Sequence, residues 1–355
     1  MEWPETFWYV LAAAVGTVTT VWVVHLVWRV RGQWRIHRAG PRRLSAIRHR
    51  IWREPSHHDA ADLRFGPGGR AGVPEPPFRF VEEHLTGSQP CVAVHDAKGR
   101  LWRVKWGHEA RPESFAVRLA AACGYFAEVT HYVPKGTIAD AGALTRARQC
   151  IGEDGVFDEG RFELEDRNVR MLFDEHSWAW DDNPFVGTKQ LSGLKIVNML
   201  LSNWDTKDRR DVARGSNTAI FEVQAPWGCE ARYLITDWGG AMGKWGSNLV
   251  SRDRWDAAGF KAQTPQFVTG VRDGWVNFGY LGQRTGEIAR DIPVEHVEWF
   301  YRYARRLKEP ALREALLACG ATEDEASTFA GALVERIRQL GEACGAVFEP
   351  AAKAG

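Results

Sequence analysis

Between Leu191 and Gly240 the chain passes through four kinds of segment in turn. LSGLKIVNMLLSNW is strongly apolar, and WDTKDRRD is a polar loop. NTAIFEV and ARYLITD are β-like runs separated by the turn-like APWG. Asp237, Trp238, Gly239 and Gly240 close the series. The apolar segment predicts a buried helix ended by Asn203, and the paired runs predict a hairpin. Asp237 then stands at a strand end. An acid in that position serves either a tight turn or a metal ion, with the glycines admitting a ligand to the backbone. One acid does not decide between them.

Upstream, residues 91–107 (CVAVHDAKGRLWRVKWG) alternate on both sides of a D-A-K-G turn. This predicts a second hairpin, with Lys105 on its second strand. The following ARPESFAVRLAAACGYFAEVTHYV repeats apolar residues at Phe115, Leu119 and Ala122, a helical period. Pro112 fits the first turn, so Glu113 lies at the start of that helix. The C-terminal third is helical, with amphipathic PVEHVEWFYRYARRL and LREALLACG. Thr322 and Glu325 form a capping box there.

Charge is distributed unevenly. Residues 1–53 hold nine Arg, no Lys and only Glu2 and Glu5 as acids, a net +7 against −6 for the remainder. Residues 7–28 contain no Asp, Glu, Lys or Arg, and Trp8, Tyr9 and Trp28 flank them. As a helix they would reach about 33 Å, enough for a bilayer core. This predicts residues 1–6 outside, a transmembrane helix over 7–28, and an Arg-rich segment 29–53 lying on anionic lipid at the cytoplasmic face. Adjacency to the apolar span argues against a nucleic-acid arm. Residues 54–77 are rich in Pro and Gly and predict a linker, in which His57, His58 and Asp59 are too loosely held to form a metal site. Six cysteines lack zinc spacing and read as free thiols of a reducing compartment.

Phosphoryl transfer needs few residues. A Lys holds the phosphates and a helix Glu aligns it. A loop Asp orients the acceptor hydroxyl, and an Asn and a second Asp hold Mg²⁺. In chain order those types occur here as Lys105, Glu113, Asp205 with Lys207, Asn217 and Asp237. Asp237-Trp238-Gly239 takes the place of the D-F-G triplet.

On these residues the chain resembles the atypical branch of the kinase-like fold, which includes HipA-like kinases, secretory-pathway kinases and phosphatidylinositol kinases. It looks most like a group of bacterial membrane-anchored proteins carrying W-x-W-x-x-NPF-x-GT-x-x-L-x-GLK, then NWD-x-K-D and D-x-G. Here these are Trp178, Trp180, Asn183-Pro184-Phe185, Gly187-Thr188, Gly193-Leu194-Lys195, Asn203-Trp204-Asp205, Lys207-Asp208 and Asp237-Trp238-Gly239. The resemblance implies an α+β, two-lobed protein-kinase-like fold preceded by the transmembrane helix. A small β-rich N-lobe would occupy 78–140 and a larger helical C-lobe 141–350. It implies ATP with Mg²⁺ or Mn²⁺ as cofactors. Lys105 would position phosphate, Glu113 would orient Lys105, Asp205 would act as base beside Lys207, and Asn217 and Asp237 would ligate metal. The acceptor would be a protein Ser/Thr, another hydroxyl or a lipid headgroup. The location would be a bacterial inner membrane, with the C-terminal domain cytoplasmic and no nucleic-acid partner.

Three departures stand out. No GxGxxG loop precedes the first strand, only HLTGSQP with Gly87. The 12-residue step from Asp205 to Asn217 leaves Asp208 and Asp211 as rival bases. Trp238 replaces Phe. The long insertion favours an alternative, a pseudokinase that binds without turnover. A lipid kinase is a third reading. Trp178 and Asn183 are expected to brace the fold rather than touch substrate.

Overall fold

Trp102 and Val104 are buried while their neighbours Leu101, Arg103 and Lys105 are only half so, and this alternation organises the β-rich part of the protein. The structure, a computed structural model, describes residues 47–56, 63–86, 89–166, 169–171, 178–206, 217–245, 252–283 and 285–345. Its first elements are β1 (Arg48–Arg50), the single turn α1 (Gly69–Gly72), β2 (Phe78–His84), β3 (Cys91–His95), β4 (Leu101–Lys105), α2 (Ala110–Ala122), β5 (Thr130–Ala139) and β6 (Val156–Leu164). Strands β2-β3-β4-β6-β5 close into a barrel. All neighbours are antiparallel except β5 and β2, which meet in parallel at Phe78↔Ile138. Phe78, Val92, Val94, Trp102, Val104 and Phe162 fill the interior. The D-A-K-G turn is held by Asp96, whose Oδ1 accepts from the N–H groups of Lys98 (3.0 Å) and Arg100 (2.9 Å).

Next come β7 (Val169–Met171), α3 (Lys189–Leu200), β8 (Thr218–Ala225) and β9 (Gly228–Ile235). A second sheet runs β1-β9-β8-β7. The remaining elements are β10 (Lys244–Trp245), β11 (Arg252–Asp253), α4 (Ala257–Gln263), β12 (Val268–Arg272), β13 (Trp275–Phe278), α5 (Thr285–Ile288), α6 (Val294–Ala304), α7 (Glu309–Leu317) and α8 (Glu323–Ala343). Helix α3 opens on Thr188, whose Oγ1 accepts from Leu191 N at 3.3 Å. Gly193 lies under the Tyr125 hydroxyl, where a Cβ would collide, so it lets α3 pack tightly. Arg336 of α8 is 1 % exposed and donates to Leu200 O (2.8 Å) and Phe260 O (2.8 Å), joining the C-terminal end of α3 to α4. A guanidinium suits a helix C-terminus, where carbonyls are left over and the dipole is negative. Burial pulls its pKa down to about 9, still above neutral, so it acts as a cation.

The expected two-lobed kinase-like fold with a leading transmembrane helix does not hold. The β-rich part is a closed barrel in a mixed α/β body. β6 lies beyond residue 140 and still belongs to the barrel, and β1, ahead of the barrel, joins the later sheet. Residues His49–Gly355 form one compact unit. The physical reason is the ten-residue β5, long enough to pair with β6 along its length and with β2 at its far end. Among the described residues no helix is long and apolar enough to cross a membrane. This overturns the single-pass reading and the inner-membrane location drawn from it. The span 7–28 lies outside the described residues, as does His57-His58-Asp59. Part of the expected linker is packed: Leu63 is 1 % exposed, and Arg100 donates to Val73 O at 2.6 Å.

Candidate functional site

Helix α3 stops at Leu201, and Ser202 takes a left-handed turn (φ 49°). That reversal brings Asn203 back under the helix. Its N–H donates to Asn198 O (3.0 Å), and its side-chain Nδ2 donates to Asn198 Oδ1 (3.2 Å) and to Asp237 O (3.4 Å). Asn217, also left-handed (φ 63°), opens β8 and donates from Nδ2 to Asp205 O at 2.7 Å. Asn tolerates that conformation better than most residues. Thr236 N closes the hairpin on Asn217 O at 2.9 Å. The ends of α3, β8 and β9 are thus tied together, gathering Asn203, Asp205, Asn217 and Asp237. Asn203 Oδ1 is buried without a hydrogen-bond partner. Lys207, Asp208 and Asp211 lie outside the described residues.

The two glycines have a structural cause. Asp237 Oδ1 accepts from Gly239 N at 2.9 Å, a local turn. A Cβ on Gly239 would lie 2.7 Å from Glu109 Cγ, and one on Gly240 would lie 2.8 Å from Asp205 N and 2.9 Å from Asn203 Oδ1. The protein's own groups press against this backbone. Trp238 is 1 % exposed and anchors the loop in the core.

A second group of charges lies on the barrel. Across β4 and β6, Arg103 faces Glu163 and Lys105 faces Arg161. Lys105 Nζ sits 3.3 Å from Glu163 Oε2, and Arg161 Nη2 sits 3.6 Å from the same oxygen. Arg103 also pairs with Glu163. Glu113, 4 % exposed on α2, pairs with Arg161. The expected Lys105–Glu113 pair is therefore replaced by a chain, Glu113–Arg161–Glu163–Lys105. Burial works against the Glu163 charge, but Lys105, Arg103 and Arg161 overrule it and hold the carboxyl at about 2. Beside it Glu128 is pushed up to about 8, by burial first and then by the Glu163 charge.

The two groups meet at the start of α2. Glu109, four residues after Lys105, packs on Gly239 and pairs with Arg254 at 3.2 Å. Between the barrel and the second sheet opens a cleft of ≈ 690 Å³, walled by Arg103 and Glu128 of the barrel charges and by none of the loop cluster. Leu101, Arg103, Glu128, Val223 and Leu234 line it, with Phe126 under the Arg232 guanidinium at 4.7 Å. A mostly apolar cleft ending in a few charges is the usual form of a small-molecule site.

Arg161, Glu163, Glu128 and Glu109 were not singled out in the sequence. The signal available was the alternation of G-R-F-E-L on β6, which sets Arg161 and Glu163 on one face. Asn203 was read only as the helix end. Trp178 and Asn183 brace the fold: Trp178 Nε1 donates to Leu234 O (3.1 Å), and Asn183 Nδ2 to Ala179 O (2.8 Å). Among the described residues no group of three or more His, Cys, Asp or Glu is placed to hold a metal ion. No family model matches the chain, and neither a curated protein nor a solved structure does.

Proposed function

We propose that the protein is an ATP-dependent phosphotransferase acting on a hydroxyl acceptor, a protein Ser/Thr or a lipid headgroup. One observation carries the reading. Two acids and two amides that stand up to 34 residues apart in the chain are tied into one loop cluster, in a body that also holds a nucleotide-sized cleft walled by Arg103, two residues before Lys105 on the same strand. The donors are hard oxygens: the carboxylates of Asp205 and Asp237, the Asn217 amide oxygen left over once its nitrogen is used, and the orphaned Asn203 Oδ1. Such a set suits Mg²⁺ or Mn²⁺, which takes one or two carboxylates and completes its shell with phosphates and water rather than with a protein cage. The ion would neutralise charge on the transferred phosphoryl group. Lys105 would contact phosphate, with Glu163 rather than Glu113 as the group that orients it. Asp205 would hold the acceptor hydroxyl.

A second reading rests on the same Lys105. It is already matched by Glu163, and a lysine committed to an internal carboxylate favours nucleotide binding without transfer. Turnover separates the two. Purified protein with labelled ATP and Mg²⁺ or Mn²⁺ is expected to autophosphorylate or hydrolyse ATP. Asp237→Ala is expected to lower the rate by about 10²-fold or more, the usual loss when one transition-state charge contact is removed. Nucleotide binding without turnover in either metal would establish the second reading. No binding and no turnover would end both.

A further inference from the structure

We infer that the pocket enclosed by α2, β5 and α7 binds a small carboxylic acid with an apolar body. The pocket measures ≈ 400 Å³ and lies apart from the cleft described above. Its polar floor pairs one cation with a neutral imidazole. Arg118 of α2 is 3 % exposed and His131 of β5 is 3 % exposed. Arg118 Nη1 donates to Arg64 O and, at 3.5 Å, to Ala315 O, while its Nε is buried without a partner. Among the described residues no carboxylate pairs with Arg118, although Arg100, Arg103 and Arg161 each pair with one. Arg336 also lacks a carboxylate, but helix-end carbonyls surround it. Arg118 is therefore a buried cation short of an anion. The one acid lining the pocket, Glu314, is 62 % exposed at the rim and faces Arg64 at 4.0 Å.

Burying a guanidinium without a counter-charge is costly, and a carboxylate matches its fork of N–H donors. The walls are apolar, formed by Phe65, Val73, Val133 and Leu317. A hydrated inorganic anion would leave those walls unused, whereas an acid with a short hydrocarbon body would cover them. His131 reinforces the preference. Burial first, and then the nearby charges of Arg118 and Arg100, disfavour its protonation, and a bound carboxylate would relieve the second of these. Arg118 lies on the same helix as Glu113, so an occupant would also brace the element that carries Glu113. The inference stands independently of the proposed phosphotransfer.

Calorimetry on the full chain with hexanoate, and with hexylamine as the opposite charge, tests it. Saturable hexanoate binding is expected, with hexylamine not binding. Arg118→Met and Ala318→Trp are each expected to weaken it about tenfold or more, equivalent to about 1.4 kcal/mol. Ala318 is exposed at the rim, so this second variant fills the pocket without touching the floor and decides the matter if Arg118→Met does not fold. By NMR, the His131 imidazole is expected to titrate at higher pH with hexanoate bound. Absence of saturable binding, equal binding of hexylamine, or binding unaltered by Ala318→Trp would overturn the assignment.

Discussion

Gly240 has so little room that one methyl group tests the loop cluster. A Cβ there would meet Asp205 N at 2.8 Å and Asn203 Oδ1 at 2.9 Å, closer than real Cβ contacts come. Both neighbours lie just past the end of α3, so relief requires moving Asp205. Gly240→Ala is accordingly expected to reduce ATP turnover by about 10²-fold, because a displacement near 1 Å at a reacting group has that cost. The circular-dichroism spectrum should keep its native form. Full turnover in this variant would separate Asp205 from the chemistry. His131 makes a prediction about pH. Burial, with Arg118 and Arg100 nearby, holds its imidazole at about 3, against 6.5 when unfolded. Between those values the unfolded chain binds a proton that the folded chain does not, so stability is lost as pH falls below 6.5. At pH 5.5 the loss from this one group is about 1.4 kcal/mol, since a full unit below 6.5 the unfolded imidazole is mostly protonated. Urea midpoints at pH 7.5 and 5.5 should therefore draw together in His131→Gln. Equal pH dependence in both proteins would remove His131 from the acid limb.

Helix α3 sets the position of the whole cluster, and its far end is held by a residue 136 positions away, Arg336. Replacing Arg336 by Met would leave Leu200 O buried without this donor, worth about 1–3 kcal/mol, while Phe260 O keeps Thr264 Oγ1 at 3.2 Å. A loss of about 2 kcal/mol in urea unfolding is expected, and Arg336→Lys should recover only part, since one ammonium lacks the fork that spans both helices. An unchanged midpoint for Arg336→Met would show that water satisfies Leu200 O. This long separation also explains what the sequence could and could not disclose. Features written in neighbouring residues were legible. The Thr322–Glu325 capping box forms, with Thr322 N donating to Glu325 Oε2 at 2.8 Å. The hairpin around D-A-K-G forms, and Asp237 falls two residues past the end of β9. Features that depend on distant partners were not. Lys105 and Glu113 are close in sequence and invited a pairing, but Glu163 and Arg161 arrive from another strand and take both. The parallel contact of β5 with β2 needs a tertiary closure that no local pattern records. The segment IRHRIW read as part of a basic juxtamembrane run, because the acid that Arg50 meets, Glu230, lies 180 residues on.

That last segment decides how the protein holds together as one body. β1 adds to β9 at the edge of the second sheet, and the chain then passes to the barrel side. Ile51 is 1 % exposed. The Trp52 indole lies edge-on to Trp299 (5.0 Å) and Tyr303 (5.2 Å) on α6, and its Nε1 donates to Cys123 O at the end of α2 (2.9 Å). One side chain thus touches the helix that carries Glu113 and a helix packed against α3. Arg53 N adds a bond to Gly124 O at 2.9 Å. Burying two such side chains is worth about 1.5–3 kcal/mol each. Ile51→Ala with Trp52→Ala is therefore expected to remove about 3–6 kcal/mol, a large part of the stability of an ordinary domain. The urea midpoint should fall sharply, while nucleotide turnover per folded molecule should stay near that of the parent, since neither residue reaches the cleft or the loop cluster. If instead turnover fell and the midpoint held, Trp52 would act by setting the position of α2 against α3, and the strand ahead of the barrel would belong to the working site rather than to its support.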